Sequence, residues 1–309
     1  SIAGSGTYVF DVEIESGGGD VDIQDSWLGL ISSTATIRIK ETNYTLYISN
    51  STLRMNINAC LDGYGCNTTY HNSNARIINS TITSSVELKG LSDVVIERSD
   101  LESNLYLDST NATIRDSDIS SHIIAYIIRA ETIDIQVGGY IDIDGSSINI
   151  TDSSFSNYVQ IAHNIVNMTN ITISNHLDLA SVDSAILHNV TVGNYLEGKV
   201  EDLYLEDVHT GRGANTLRVS KLWMSNSTFE KASSNGASYY IYVSDMDNHN
   251  NASTEDIYIY NSTIKFNTTS DSNQQFVFNI YTTGDIRIID SEINATRFRT
   301  STIELKGSE

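Results

Sequence analysis

Two sets of side chains in this 309-residue chain have the types and spacing for chemistry. The larger set is asparagine. Fourteen precede x-Ser/Thr: Asn43, Asn50, Asn67, Asn79, Asn111, Asn149, Asn167, Asn170, Asn189, Asn226, Asn251, Asn261, Asn267 and Asn294. Such an amide accepts an N-linked glycan when a chain is exported. Asn50, Asn79, Asn189, Asn226 and Asn261 also fit a turn position described below. The other nine do not, and a glycan coat accounts for them. The smaller set is acidic: Asp20, Asp22 and Asp25 in one group, Asp142 and Asp144 in another. Alternation along a strand puts Asp142 and Asp144 on one outward face, where they could share a calcium ion. A solvated strand face is the alternative reading.

Cys60 and Cys66 bracket Leu-Asp-Gly-Tyr-Gly, a short glycine-rich loop. A disulfide suits that loop and an oxidising compartment. A zinc pair needs two further ligands, and only His71 is near; a redox dithiol has no support nearby. The seven histidines show no HExxH spacing. GxSxG, phosphate-loop and dinucleotide fingerprints are absent. Nothing points to a catalytic residue, and calcium is the one cofactor considered.

The elements that carry these residues repeat. An octad (apolar, any, apolar, any, turn residue, Ser, any, apolar) occurs at 46–53 (LYISNSTL), 75–82, 94–101, 112–119, 141–148, 148–155, 222–229, 257–264 and 286–293. Weaker copies lie at 185–192 (AILHNVTV) and 203–210 (LYLEDVHT), with Val in place of Ser. The first three alternating positions are a strand with one buried face. Asn, Asp or Gly then takes the left-handed conformation of a sharp bend, and Ser points inward at the corner. Copies spaced 18 to 29 residues apart suit one turn of a solenoid. The two copies sharing Ile148 are too close for successive turns, so one belongs to another face. Roughly eleven to thirteen coils at ~4.8 Å each make a rod of about 50–60 Å.

On this octad the chain resembles the right-handed parallel β-helix family, the pectate-lyase-like solenoids, over nearly all of residues 40–295. The resemblance implies an all-β, single-stranded right-handed parallel β-helix. It leaves function open, because that architecture hosts lyases, hydrolases, tailspikes, adhesins and surface-layer proteins. Polygalacturonase-like members carry Asn-Thr-Asp, Asp-Asp, Gly-His-Gly and Arg-Ile-Lys. Only Arg38-Ile39-Lys40 occurs here, ahead of the repeats. A β-sandwich explains short strands but not the constant phase of the Ser-x-apolar element, and no strict six-residue period supports a left-handed solenoid.

Composition narrows the setting. Acids outnumber bases 39 to 18, a formal charge of −21 that disfavours nucleic acid and anionic membrane. The longest apolar run, 123–128, is far short of a membrane span. Proline is absent, in keeping with strands hydrogen-bonded on both edges. The start at Ser1 reads as a processed, secreted chain with its signal sequence removed. Abundant Ile and Val, no proline and dense sequons resemble the composition of archaeal cell-surface proteins.

The expected organisation is an N-terminal strand with Gly-rich hinges (1–19) and a β-helix body (20–309). Loop insertions are placed near 56–74, 230–254 and 267–275. Phe10, Val12 and Ile14 alternate in the hinged strand, which either opens the solenoid or pairs with a neighbouring subunit. Tyr239, Tyr240, Tyr242, Tyr258, Tyr260 and Tyr281 are expected as aromatic ladders of the core, an exposed sugar-stacking platform being the alternative. The functional expectation is an extracellular structural glycoprotein that assembles with itself head to tail into a filament, pilus-like fibre or surface coat. The alternatives are a polysaccharide-binding or polysaccharide-cleaving β-helix and a viral fibre or tailspike.

Overall fold

A computed structural model describes residues 11–14, 20–29, 36–39, 44–59, 73–211, 216–232, 239–244, 253, 255–267, 276–294, 297–299 and 304–306. It divides into two compact units, Ser1–Gly145 and Ser146–Glu309. Both are stacks of parallel strands in a right-handed β-helix, and the described residues contain no helix.

The octad is the repeating unit. Its fifth residue is the corner: φ lies between 44° and 58° at Asp25, Asn50, Asn79, Arg98, Asp116 and Asp134 in the first unit. Asp152, Asn170, Asn189, Asp207, Asn226, Asn261 and Asp290 do the same in the second. Asn and Asp tolerate this region because their short polar side chains hydrogen-bond locally. Gly145 does not adopt it, so octad 141–148 lies on the preceding face and 148–155 makes the corner, at Asp152. Three further corners extend the series beyond the copies read from sequence: 21–28 (VDIQDSWL), which fits the full octad, and 130–137 and 166–173, which do not. The last two carry Ile135 and Ile171 in place of Ser.

The corner serine ties rungs together. Ser80 Oγ donates to the Ile78 carbonyl at 2.8 Å and accepts the Ser51 N–H at 3.2 Å. Ser99 repeats this with Glu97 and Ser80, and Ser262 with Tyr260 and Ser227. Each such hydroxyl satisfies the backbone N–H that the bend takes out of the ladder, and adds a second bond to a carbonyl that already accepts a backbone N–H, as Ile78 does from Asn50 at 3.1 Å.

Inward positions stack residue on residue. Leu46, Ala75, Val94 and Ala112 register in one column, Leu53, Ile82, Leu101 and Ile119 in another, all essentially inaccessible. Each buried Leu or Ile contributes about 1.5–3 kcal/mol relative to exposure. The core is aliphatic, which corrects the expectation of aromatic ladders inside. Among the described side chains only Tyr44, Phe155 and Phe229 are buried aromatics, whereas Tyr260 and Tyr281 are 40% and 44% exposed. Tyr258 and Tyr242 are half-buried, and the side chains of Tyr239 and Tyr240 lie outside the description. A closed β-helix rung leaves room between facing sheets for branched aliphatic side chains, so the rings turn outward.

Candidate functional site

In the second unit three outward columns converge on one face. Leu203 and Leu205, Leu222 and Met224, and Ile257 and Ile259 point inward, so their alternating neighbours point out. The central column registers Ile186, Tyr204, Trp223, Tyr258 and Arg287 on successive rungs. Trp223 and Tyr258 stack with centroids 6.0 Å apart and planes within 8°, and Tyr258 meets Tyr260 at 6.4 Å. Ile186 is 47% exposed.

Polar groups flank the rings. His188 Nδ1 lies 3.1 Å from Glu206 Oε2 on the next rung. On the other side Lys221, registered beside Asp202, places its ammonium 5.4 Å from the Tyr204 ring centroid. Hydrogen bonding to Tyr204 is the first cause holding Lys221 above its ordinary pKa, despite opposing desolvation. A groove of about 290 Å³ is lined by Ile186, His188, Tyr204, Glu206 and Trp223. His188, Glu206 and Asp207 bring donor atoms within 4.8 Å of one another.

A second cluster lies on another face of this unit. His176 is stacked between Tyr158 and Tyr195, centroids 5.0 and 4.6 Å away. Beside it Asp178 registers with Glu197. Burial raises Asp178, with His176 opposing, and burial reinforced by Asp178 raises Glu197. Burial lowers His176, against the pull of Asp178. In the first unit, a groove of about 450 Å³ runs between the corner residues Arg98, Asp116 and Asp134 and the stack Asp100, Asp118 and Gln136.

The acidic candidates occupy separate roles. Asp25 is a corner and accepts from Asn50 Nδ2 at 3.2 Å; Asp20 accepts the Thr45 N–H and Asp22 the Gln24 amide. Asp142 and Asp144 are both exposed on one face as alternation requires, and Asp142 is raised by burial and by the Asp144 charge. Cys60, Cys66, Phe10, Asn43, Asn67 and Asn251 lie outside the described residues. Val12 and Ile14 sit in the strand Asp11–Ile14, which pairs in parallel with Thr36–Ile39 of the same chain, Val12 opposite Ile37 and Ile14 opposite Ile39.

Of the sequons, Asn170 joins the five at corners, so Asn50, Asn79, Asn170, Asn189, Asn226 and Asn261 all have positive φ. Asn111, Asn149 and Asn294 are exposed strand residues, Asn167 is half-buried, and Asn267 ends the strand Thr263–Asn267.

The sequence offered Tyr258 and Tyr260 as part of an exposed sugar-stacking platform, as the alternative to core ladders, but Tyr204 and Trp223 were not joined to them although a signal was present. Tyr204, Trp223 and Tyr258 each occupy the second position of an octad (LYLEDVHT, LWMSNSTF, IYIYNSTI), an outward position. No family model matches the chain, and no curated protein or solved structure is similar to it. The likeness to right-handed parallel β-helices is therefore one of architecture.

Proposed function

We propose that this is an exported, N-glycosylated β-solenoid that holds a neutral polysaccharide against the aromatic face of its second unit. The observation that carries this reading is the outward column of Tyr204, Trp223 and Tyr258, with Trp223 and Tyr258 stacked, ending on bare Ile186. Aromatic rings offer the C–H face of a sugar a flat apolar partner, and their recurrence at each rung suits a polymer. His188, Glu206, Asp202 and Lys221 supply donors and acceptors for hydroxyl groups at the rim. Both signs of charge border the stack, and an overall −21 repels polyanions. Isothermal titration calorimetry with soluble neutral polysaccharides tests the proposal. Trp223→Ala and Tyr258→Ala should each weaken binding about tenfold, the scale of one aromatic contact. Tyr126→Ala, an exposed tyrosine of the first unit, should change nothing. A broad panel without one ligand would overturn it.

Self-assembly is the second reading, favoured by open rungs. Asp11–Ile14, Val21–Gln24 and Trp27–Gly29 each have one ladder partner among the described residues. Glu304–Lys306 pairs only with Ile286–Ile289 among them. Unpaired strand edges are templates for a second chain. Because the Asp11–Ile14 strand is placed within its own chain, assembly would use its free edge rather than its release. Negative-stain microscopy decides: filaments support this reading, discrete particles oppose it.

A further inference from the structure

Among the described residues, eight of the fourteen sequons are stacked in pairs on adjacent rungs, and each pair is joined by a hydrogen bond between side-chain amides. Asn79 Nδ2 donates to Asn50 Oδ1 at 2.8 Å, and Asn167 Nδ2 to Asn149 Oδ1 at 2.8 Å. Asn189 donates to Asn170 at 2.9 Å, and Asn261 to Asn226 at 2.8 Å. Nδ2 is also the atom that takes the sugar. We infer that each stacked pair carries at most one N-glycan, so that fourteen sequons, losing one in each of four pairs, hold at most ten. The inference rests on the glycosylation part of the proposed function.

The chemistry permits one sugar and refuses two. A glycosylated asparagine is a secondary amide that keeps one N–H, so a singly modified pair can retain its ladder bond. Two sugars in a pair would leave glycosidic bonds within one rung spacing of ~4.8 Å. The substituents of a pyranose ring reach wider than that spacing, and the chains beyond need more room still. The side chains cannot splay to relieve the crowding. In three pairs the backbone is locked in the left-handed corner, with φ of 49° at both Asn50 and Asn79, 58° and 52° at Asn170 and Asn189, and 48° and 44° at Asn226 and Asn261. In the fourth, Asn149 and Asn167 sit within regular strands. Asn111 and Asn294, exposed and outside these pairs, are under no such restriction.

The chain supplies a convenient readout. No Lys or Arg lies between Arg129 and Lys199, so one tryptic peptide, residues 130–199, carries Asn149, Asn167, Asn170 and Asn189. The full chain, secreted from a host that adds N-glycans, should yield this peptide with no more than two glycans, never both members of a pair. Peptides carrying three or four glycans would overturn the inference while leaving the glycan coat intact. Absence of glycan at every sequon would overturn the coat, and this inference with it. Partial occupancy is decided by Thr169→Ala and Thr191→Ala, which abolish the Asn167 and Asn189 sequons without touching the ladder amides. Occupancy of Asn149 and of Asn170 should then rise; occupancy indifferent to the loss of the partner site would count against exclusion.

Discussion

The corner serine shows how much one hydroxyl can settle. Ser80 is 4% exposed, and its Oγ serves both a carbonyl on its own rung and an N–H on the neighbouring one. Ser80→Ala should cost about 1–3 kcal/mol, because the buried Ser51 N–H loses its partner inside the protein, whereas the Ile78 carbonyl keeps the Asn50 N–H. Urea denaturation measures it, and a change within error would mean that water replaces the hydroxyl. The inward-pointing serine was legible in the sequence from its constant phase. The acid pair Asp178 and Glu197 was not, because their adjacency depends on two rungs meeting. Both have raised pKa values in the folded chain. A raised carboxyl pKa means stability fully present below the unfolded value and lost as pH rises through the folded one. Asp178→Asn should therefore raise the urea midpoint at neutral pH and leave it unchanged near pH 3, where both states are protonated. Equal shifts at the two pH values would refute the electrostatic cause.

At the scale of elements, alternation plus a left-handed residue is a local property, so most strands and corners could be read directly. The octad at 21–28 passed unnoticed because Asp25 also suited a calcium cluster. Those at 130–137 and 166–173 lacked serine at the sixth position. Apolar Ile135 and Ile171 work there because the position is buried either way. The bends opposite the asparagine corner follow another rule, that of close approach. A Cβ added at Gly193 would collide with the Ser174 carbonyl of the preceding rung. Gly193→Ala should destabilise by about 1–3 kcal/mol, as overpacking does, read as a lower thermal midpoint. An unchanged midpoint would show that the bend yields.

For the molecule as a whole, charge and surface chemistry separate the two functional readings. The aromatic face draws on stacking and hydroxyl contacts, which salt screens little, whereas ionic recognition falls steeply with ionic strength. Affinity for a neutral polysaccharide should hold within about twofold between dilute buffer and physiological salt, the Debye length falling from about 30 to 8 Å. A loss of tenfold or more in a binding isotherm would reassign the site to charged ligands. End-to-end assembly of a chain with charge −21 should behave oppositely and strengthen as salt screens self-repulsion.

Fold class and corner chemistry were determined by the sequence alone, because a period of two, a residue able to hold positive φ and an inward serine are all encoded within eight consecutive positions. Which outward side chains share a face was decided only by the tertiary structure. Tyr204 and Trp223 are nineteen positions apart, Trp223 and Tyr258 thirty-five, yet they sit on successive rungs. Rung length varies with every loop, so spacing along the chain does not convert to height along the stack. Backbone hydrogen bonding between rungs sets that register, and with it the aromatic face and the paired asparagines.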